Sequence, residues 1–279
     1  MKNMRLCASC VGMDFNNPVL SSDKDLPKWL ENVNYVNDFI KNWKSFKLKK
    51  NKDTIKITLT VPSTYIGKYV LYWAAKPTRN DYKIVDAKRA YGNFSNCGVS
   101  KVGQDGTVHL YVYCPQNYRT IIKGGTTEEI FYRHVHFCFQ KSANEWDTNH
   151  VFTKVVTCSI PWKAISGKPL LNTLPKKEFE RHHIPGSFHL DASMVRKMSS
   201  QDLHDYFIKL VRQNPRFHKI QKALQSGDLF WYAIPIVLYC KNKSCHASDK
   251  CLTALYKKGF VNVKIYRDGI DGYDKSKKL

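Results

Sequence analysis

Ile234-Pro235-Ile236-Val237-Leu238-Tyr239-Cys240-Lys241-Asn242-Lys243-Ser244-Cys245 is the stretch that decides the fold of this chain. An apolar, β-branched run stops at a thiol, and a short polar loop follows. His246 to Lys258 then has helical character and ends at Gly259, which occupies the C-terminal capping place. The pattern predicts a buried strand, a tight loop and a helix. A thiol at the strand end faces the helix N-terminus, where backbone N–H groups and the helix dipole favour an anion. Cys240 is therefore expected to have a lowered pKa and to act as a nucleophile. The alternative for a cysteine closing an apolar run is a buried structural thiol.

Working outward, strand-like and helix-like pieces alternate on both sides of this stretch. Leu170–Thr173 and Ser187–Leu190 read as strands, Ser200–Gln213 and Pro215–Ser226 as helices, and Val261–Tyr266 as a further strand. Such alternation predicts an α/β layer built on a mainly parallel sheet. Sites in these sheets form at the carboxyl ends of strands, where Cys240 stands.

Upstream of Ile160-Pro161 the pattern differs. Residues 57–61, 68–75, 106–114, 132–139 and 150–158 are rich in β-branched and aromatic side chains, and Gly, Asn and Asp groups separate them. They predict a β-sandwich. Trp29, Val33, Val36, Ile40 and Trp43 form one stripe of an amphipathic helix over 27–46, with Asp25 as N-cap and Pro27 in the first turn. The expected organisation is two domains. Residues 1–160 form a mainly-β sandwich preceded by the helix, and residues 161–279 form an α/β domain.

The 279 residues carry a net charge of +22. This charge permits attraction to polyanions such as nucleic acid, but no nucleic-acid motif accompanies it. Its densest run, Lys41 to Lys52, reads as a solvated helix end. No apolar run is long enough for a membrane span, and Met1–Gly12 is too polar for a secretory signal. Nine cysteines at irregular spacings then read as thiols in a reducing, cytoplasmic setting. Cys7 and Cys10 make a lone CxxC without the second pair that a four-thiolate zinc site needs.

Three segments of the C-terminal half resemble the rhodanese-like family. These are Leu170–Pro175 with Glu178-Phe179 and His182–Ser187, then Ile236–Cys240, then Lys257–Val263 followed by Asp268–Tyr273. The resemblance implies a sulfurtransferase that holds a persulfide on Cys240, using a small sulfur donor or a protein thiol or persulfide as partner and requiring no cofactor. Lys241, Asn242, Lys243, Ser244 and Cys245 would form the anion-binding loop. Its backbone N–H groups would cradle the sulfur, and Lys241 and Lys243 would lower the thiol pKa. Phosphatases of this fold use a loop one residue longer that ends in arginine; this loop has six residues and ends in Cys245. Asn172, Thr173 and Leu174 stand where the family often has Asp-Val-Arg. Those departures support an alternative, a catalytically inactive rhodanese fold used for binding or regulation. Cys245 so close to Cys240 also suits a reversible disulfide.

His134-Val135-His136 places two imidazoles on one side of a strand, within reach of one metal; two solvent-facing histidines are the alternative. Ala90-Tyr91-Gly92, Asn96–Val99, Asp105-Gly106, Cys114–Tyr118 and His134–Phe137 follow the order of the intradiol ring-cleaving dioxygenases, which this region resembles. The resemblance implies a non-haem Fe(III) held by Tyr91, Tyr118, His134 and His136, a donor set that suits a hard ferric ion. It leaves two readings for the N-terminal half: a binding module or degenerate dioxygenase-like sandwich fused to the sulfurtransferase, or a ring-cleaving dioxygenase with an accessory rhodanese domain. Tyr132-Arg133 stands where the family usually has Arg-Pro-Ala or Pro-Pro.

Overall fold

The computed structural model describes residues 19–21, 48, 51, 53–121, 128–143, 145–147 and 150–277. The predicted helix over 27–46, the lysine run at 41–52 and the Cys7–Cys10 pair lie essentially outside the described residues. The chain divides into two units, Met1–Arg79 with Val85–Val156, and Asn80–Ile84 with Thr157–Leu279.

The first unit is mainly β. Its elements are β1 (Val19–Ser21), β2 (Thr54–Thr60), β3 (Tyr69–Ala74), β4 (Val85–Asp86), a short helix α1 (Ala87–Tyr91), β5 (Cys97–Lys101), β6 (Thr107–Tyr113), β7 (Tyr118–Ile121), β8 (Glu128–Phe131), β9 (His134–Ser142), β10 (Glu145–Trp146) and β11 (Val151–Val155). The largest sheet runs β1-β11-β9-β3-β5, with β10 paired to β9. Central strands of such a sheet are covered on both faces, which is why β3 reads as the unbroken apolar run YVLYWA. Period-two alternation then sorts its side chains. Val70, Tyr72 and Ala74 join Leu110 and Val112 of β6 and Val135 and Phe137 of β9 in one core. Leu71 and Trp73 join Tyr91, Tyr118 and Cys138 in the other. The same alternation sends His134 and His136 to the side of Cys138. β2 pairs with β6, and β4-β7-β8 form a three-stranded ladder.

The second unit is α/β on a parallel sheet. It contains β12 (Leu170–Asn172), α2 (Lys176–Arg181), β13 (Phe188–His189), α3 (Ala192–Lys197), α4 (Ser200–Arg212), α5 (His218–Gln225), β14 (Ile236–Tyr239), α6 (Ala247–Lys257), β15 (Val263–Tyr266) and α7 (Gly269–Ser276). The strand order is β13-β12-β14-β15, and every pairing among them is parallel. β14 is central and fully buried. α4 starts on a capping box in which Ser199 and Asp202 exchange bonds.

Two features differ from the sequence reading. First, Asn80–Ile84 belongs to the second unit, so the two units are not contiguous stretches. Asp81 explains this: its carboxylate receives Lys264 at 2.9 Å and lies 3.8 Å from Lys168, all three nearly buried. Second, not every cysteine is a thiol. Cys114 and Cys158 are disulfide-bonded, whereas Cys97, Cys138, Cys240, Cys245 and Cys251 are free. Irregular spacing did not reveal this, because bonding reach is set by tertiary proximity. Among the described residues no helix is long and apolar enough to cross a membrane.

Candidate functional site

Cys240 leaves the carboxyl end of β14 into a loop that folds on its own side chains. Asn242 organises it: its carbonyl accepts from Cys245 N–H at 3.1 Å, and its Oδ1 accepts from the N–H and hydroxyl of Ser244 at 3.2 and 2.8 Å. The Asn242 amide donates to Asp271 of α7 at 2.8 Å. The start of α7 grips the loop backbone, with Ile270 N–H on Cys240 O and Asp271 N–H on Lys241 O. From β12, Thr173 donates to Tyr239 O through both its N–H and hydroxyl, 3.0 Å each, and its hydroxyl lies 3.2 Å from Ser248. Thr173 thus supports the loop from the middle position of the three where the family often has Asp-Val-Arg. No signal in the sequence singled out Thr173, Ser248 or Asp271 for this part.

α6 begins without a side-chain cap at His246. Its first N–H groups are therefore available to the loop sulfurs. Ser248 meets Cys240 with its N–H and hydroxyl, and Ala247 N–H, with Lys241 N–H from the loop, meets Cys245.

The electrostatics depart from expectation. Burial pushes the Cys240 thiol up rather than down, and its bond to Cys245 adds to this; the Ser248 contacts act in the opposite direction and do not overcome it. The geometry agrees. Cys240 Sγ donates to the carbonyl of Cys245 at 3.1 Å and faces that of Asn242 at 3.8 Å. Carbonyls accept protons' bonds and stabilise the thiol form. Lys243 does not reach the sulfur, since its ammonium pairs with Asp268 at 3.1 Å. Cys245 is the more acidic partner. Burial raises it, but the hydrogen bond from Cys240 and the N–H groups of Ala247 and Lys241 outweigh that and bring it below the ordinary 9.0.

Residues 162–276 match the family model described as "Rhodanese-like domain". The C-terminal unit contains a rhodanese-like domain. A comparison with curated proteins finds no match. One solved structure, an N-terminal domain from a Clostridium difficile 630 protein named for ATP/GTP binding, is 17% identical over 43% of this chain and 99% of its own, with a TM-score of 0.26. At that score it bears on neither fold nor function. In the rhodanese-like domain, a cavity of about 490 Å³ is lined by Tyr82, Trp162, Lys163, Gly186, Arg216 and Lys219 among others. No residue of the 240–245 loop lines it.

The first unit brings its four predicted residues together. His134 Nε2 lies 2.8 Å from His136 Nε2, 3.1 Å from the Tyr118 hydroxyl and 3.4 Å from that of Tyr91, and the two hydroxyls are 3.3 Å apart. All four side chains are buried. His134 Nδ1 donates to the Tyr132 carbonyl at 2.6 Å, which leaves Nε2 as a lone pair aimed at the cluster. His136 Nδ1 is 2.9 Å from the hydroxyl of Thr153, its cross-strand neighbour on β11. Both imidazoles are thus oriented from behind, Tyr132 serving from the place where the resemblance lacked its usual residues. Thr153 carried no sequence signal. Among the described residues, no group of three His, Cys, Asp or Glu side chains is arranged to hold a metal; this cluster has two imidazoles and two phenols.

Proposed function

We propose that the rhodanese-like domain is a sulfurtransferase that carries a persulfide on Cys240. The observation that supports this most is the position of Cys240: the end of the central parallel strand, in a six-residue loop closed against an uncapped helix N-terminus. Deprotonated Cys240, met by the N–H and hydroxyl of Ser248, attacks the outer sulfur of a sulfane donor, and an acceptor later removes that sulfur. The raised thiol pKa makes alkaline pH favourable for the first step. Cyanide-dependent thiocyanate formation from thiosulfate, abolished in Cys240→Ala, tests the reading. Equal inactivity of wild type and variant across several donors would leave the inactive, binding-type alternative.

The donor convergence in the first unit favours a second reading for that unit, a ferric site held by Tyr91, Tyr118, His134 and His136. Both phenols and the His136 imidazole converge within 3.4 Å of His134 Nε2, a convergence that a shared cation would account for. A ferric ion bound there would supply Lewis acidity for ring-cleaving oxygen chemistry. The chain's own contribution is to brace the two imidazoles from behind, through the Tyr132 carbonyl and the Thr153 hydroxyl, and to bury two phenols beside them. Metal analysis of purified protein tests it: stoichiometric iron with a tyrosinate absorption band is expected, and protein free of both after iron loading would remove the reading.

A further inference from the structure

The two free cysteines of the loop are in contact with each other. Cys240 Sγ lies 3.1 Å from the Cys245 carbonyl oxygen, and each thiol affects the acidity of the other. Cys240 is buried, whereas Cys245 is partly exposed. Asn242 holds the turn between them closed through Cys245 N–H and is itself anchored on Asp271. The residue that ends the loop is thus a second sulfur nucleophile placed against the first.

We propose that Cys245 is an internal resolving thiol, which displaces the sulfur held on Cys240 as hydrosulfide and closes a Cys240–Cys245 disulfide. The inference rests on the persulfide reading above and names the acceptor for that site. In the first step, the Cys240 thiolate attacks the outer sulfur of thiosulfate; a Cys240 S–S bond forms, the donor S–S bond breaks and sulfite leaves. In the second, the Cys245 thiolate attacks Cys240 Sγ. A Cys240–Cys245 S–S bond forms, the persulfide S–S bond breaks, and the outer sulfur leaves with the electron pair as hydrosulfide. Two equivalents of a small thiol then reduce the disulfide, becoming one disulfide themselves. The sum is thiol-dependent reduction of a sulfane sulfur to hydrosulfide, a different outcome from handing sulfur to an external acceptor.

The environment of Cys245 suits the second step. An attacking thiol works best when its pKa is near ambient pH. The N–H groups of Ala247 and Lys241 and the bond from Cys240 pull Cys245 in that direction.

The test uses the full chain, reduced, freed of small thiol, and treated with thiosulfate. Intact mass, peptide mapping and hydrosulfide release are read at the end point. Wild type is expected to release one hydrosulfide per chain and to lose two hydrogens as the Cys240–Cys245 disulfide. Cys245→Ser and Cys245→Ala are expected to gain one sulfur on Cys240 and to release no hydrosulfide until thiol is added. Wild type that keeps its added sulfur and forms no disulfide would overturn the resolving role while leaving the persulfide reading intact. Failure of wild type and both variants to take up sulfur or release hydrosulfide would overturn the persulfide reading and this inference with it.

Discussion

Gly269 lies directly beneath Cys240: with φ at +62°, its α-carbon faces the carbonyl oxygens of Cys240 and Lys241 so closely that a Cβ would collide with both. The next residue, Ile270, donates its N–H to Cys240 O at 3.1 Å. Glycine is required here twice over, for its left-handed conformation and for its missing side chain. Gly269→Ala is expected to lose about 1–3 kcal/mol from backbone strain alone, with the collision adding to it. Chemical unfolding measures the loss. Because the strain falls on the loop, alkylation of Cys240 in the native variant should also speed up. Wild-type stability and wild-type thiol reactivity in Gly269→Ala would contradict this account of the loop.

Asp81 gives a second prediction. Its carboxylate receives the nearly buried ammonium of Lys264 at 2.9 Å and lies 3.8 Å from that of Lys168. Removing one member of a buried pair leaves an uncompensated charge, which costs about 3–5 kcal/mol when the group is fully desolvated. Asp81→Ala should therefore destabilise the rhodanese-like domain by roughly 3 kcal/mol, given slight exposure of all three groups. Adding Lys264→Met should recover part of the loss, and a double-mutant cycle in urea unfolding checks it.

These two positions show where the sequence was legible. The strand–loop–helix around Cys240 could be read because an apolar run, a polar loop and a helical segment follow one another without a break. The parallel sheet followed from the alternation of elements. The extents of short elements were less visible: α2, α3 and α7 are each of eight residues or fewer and carry little periodicity. The grouping of Tyr91, Tyr118, His134 and His136 came from the order of motifs, and Thr153 escaped because cross-strand register cannot be counted along one strand. The acidity of the loop thiols was misread for a related reason. Proximity of lysines in sequence suggested a lowered Cys240, but Lys243 turns to Asp268 and the strand buries the sulfur.

The buried thiols impose a pH dependence on stability. Burial pushes Cys97 up to about 11 and Cys251 up to about 12, and raises Cys138 further. In the unfolded chain each titrates near the ordinary 9.0. Above that value the unfolded state has lost protons that the folded state keeps. Their stabilisation is thus complete below pH 9 and is lost as pH rises toward 11 and 12. The expected slope is about 1.4 kcal/mol per pH unit for each thiol in that window. Urea unfolding at intervals above pH 8 should show stability falling with pH, and Cys251→Ala should lessen the slope. A flat profile in the parent protein would refute the assignment.

Thr153 provides the sharpest check on the histidine cluster, because it touches no proposed ferric ligand atom directly. Its hydroxyl sits 2.9 Å from His136 Nδ1, on the far side of the ring from the convergence point. Replacing it with valine keeps the shape and β-branching of the strand residue but removes the group that fixes the imidazole. If the cluster holds iron, Thr153→Val should weaken iron binding by about 10–100-fold, the usual effect of losing such a supporting bond. His136→Ala should abolish stoichiometric binding and the tyrosinate band together. The valine variant should still show that band when saturated with iron, since Tyr91 and Tyr118 remain in place. Iron titration followed by the tyrosinate absorption separates the two effects. Equal affinity in Thr153→Val and the parent protein would mean that the hydroxyl serves the strand pairing and not the imidazole.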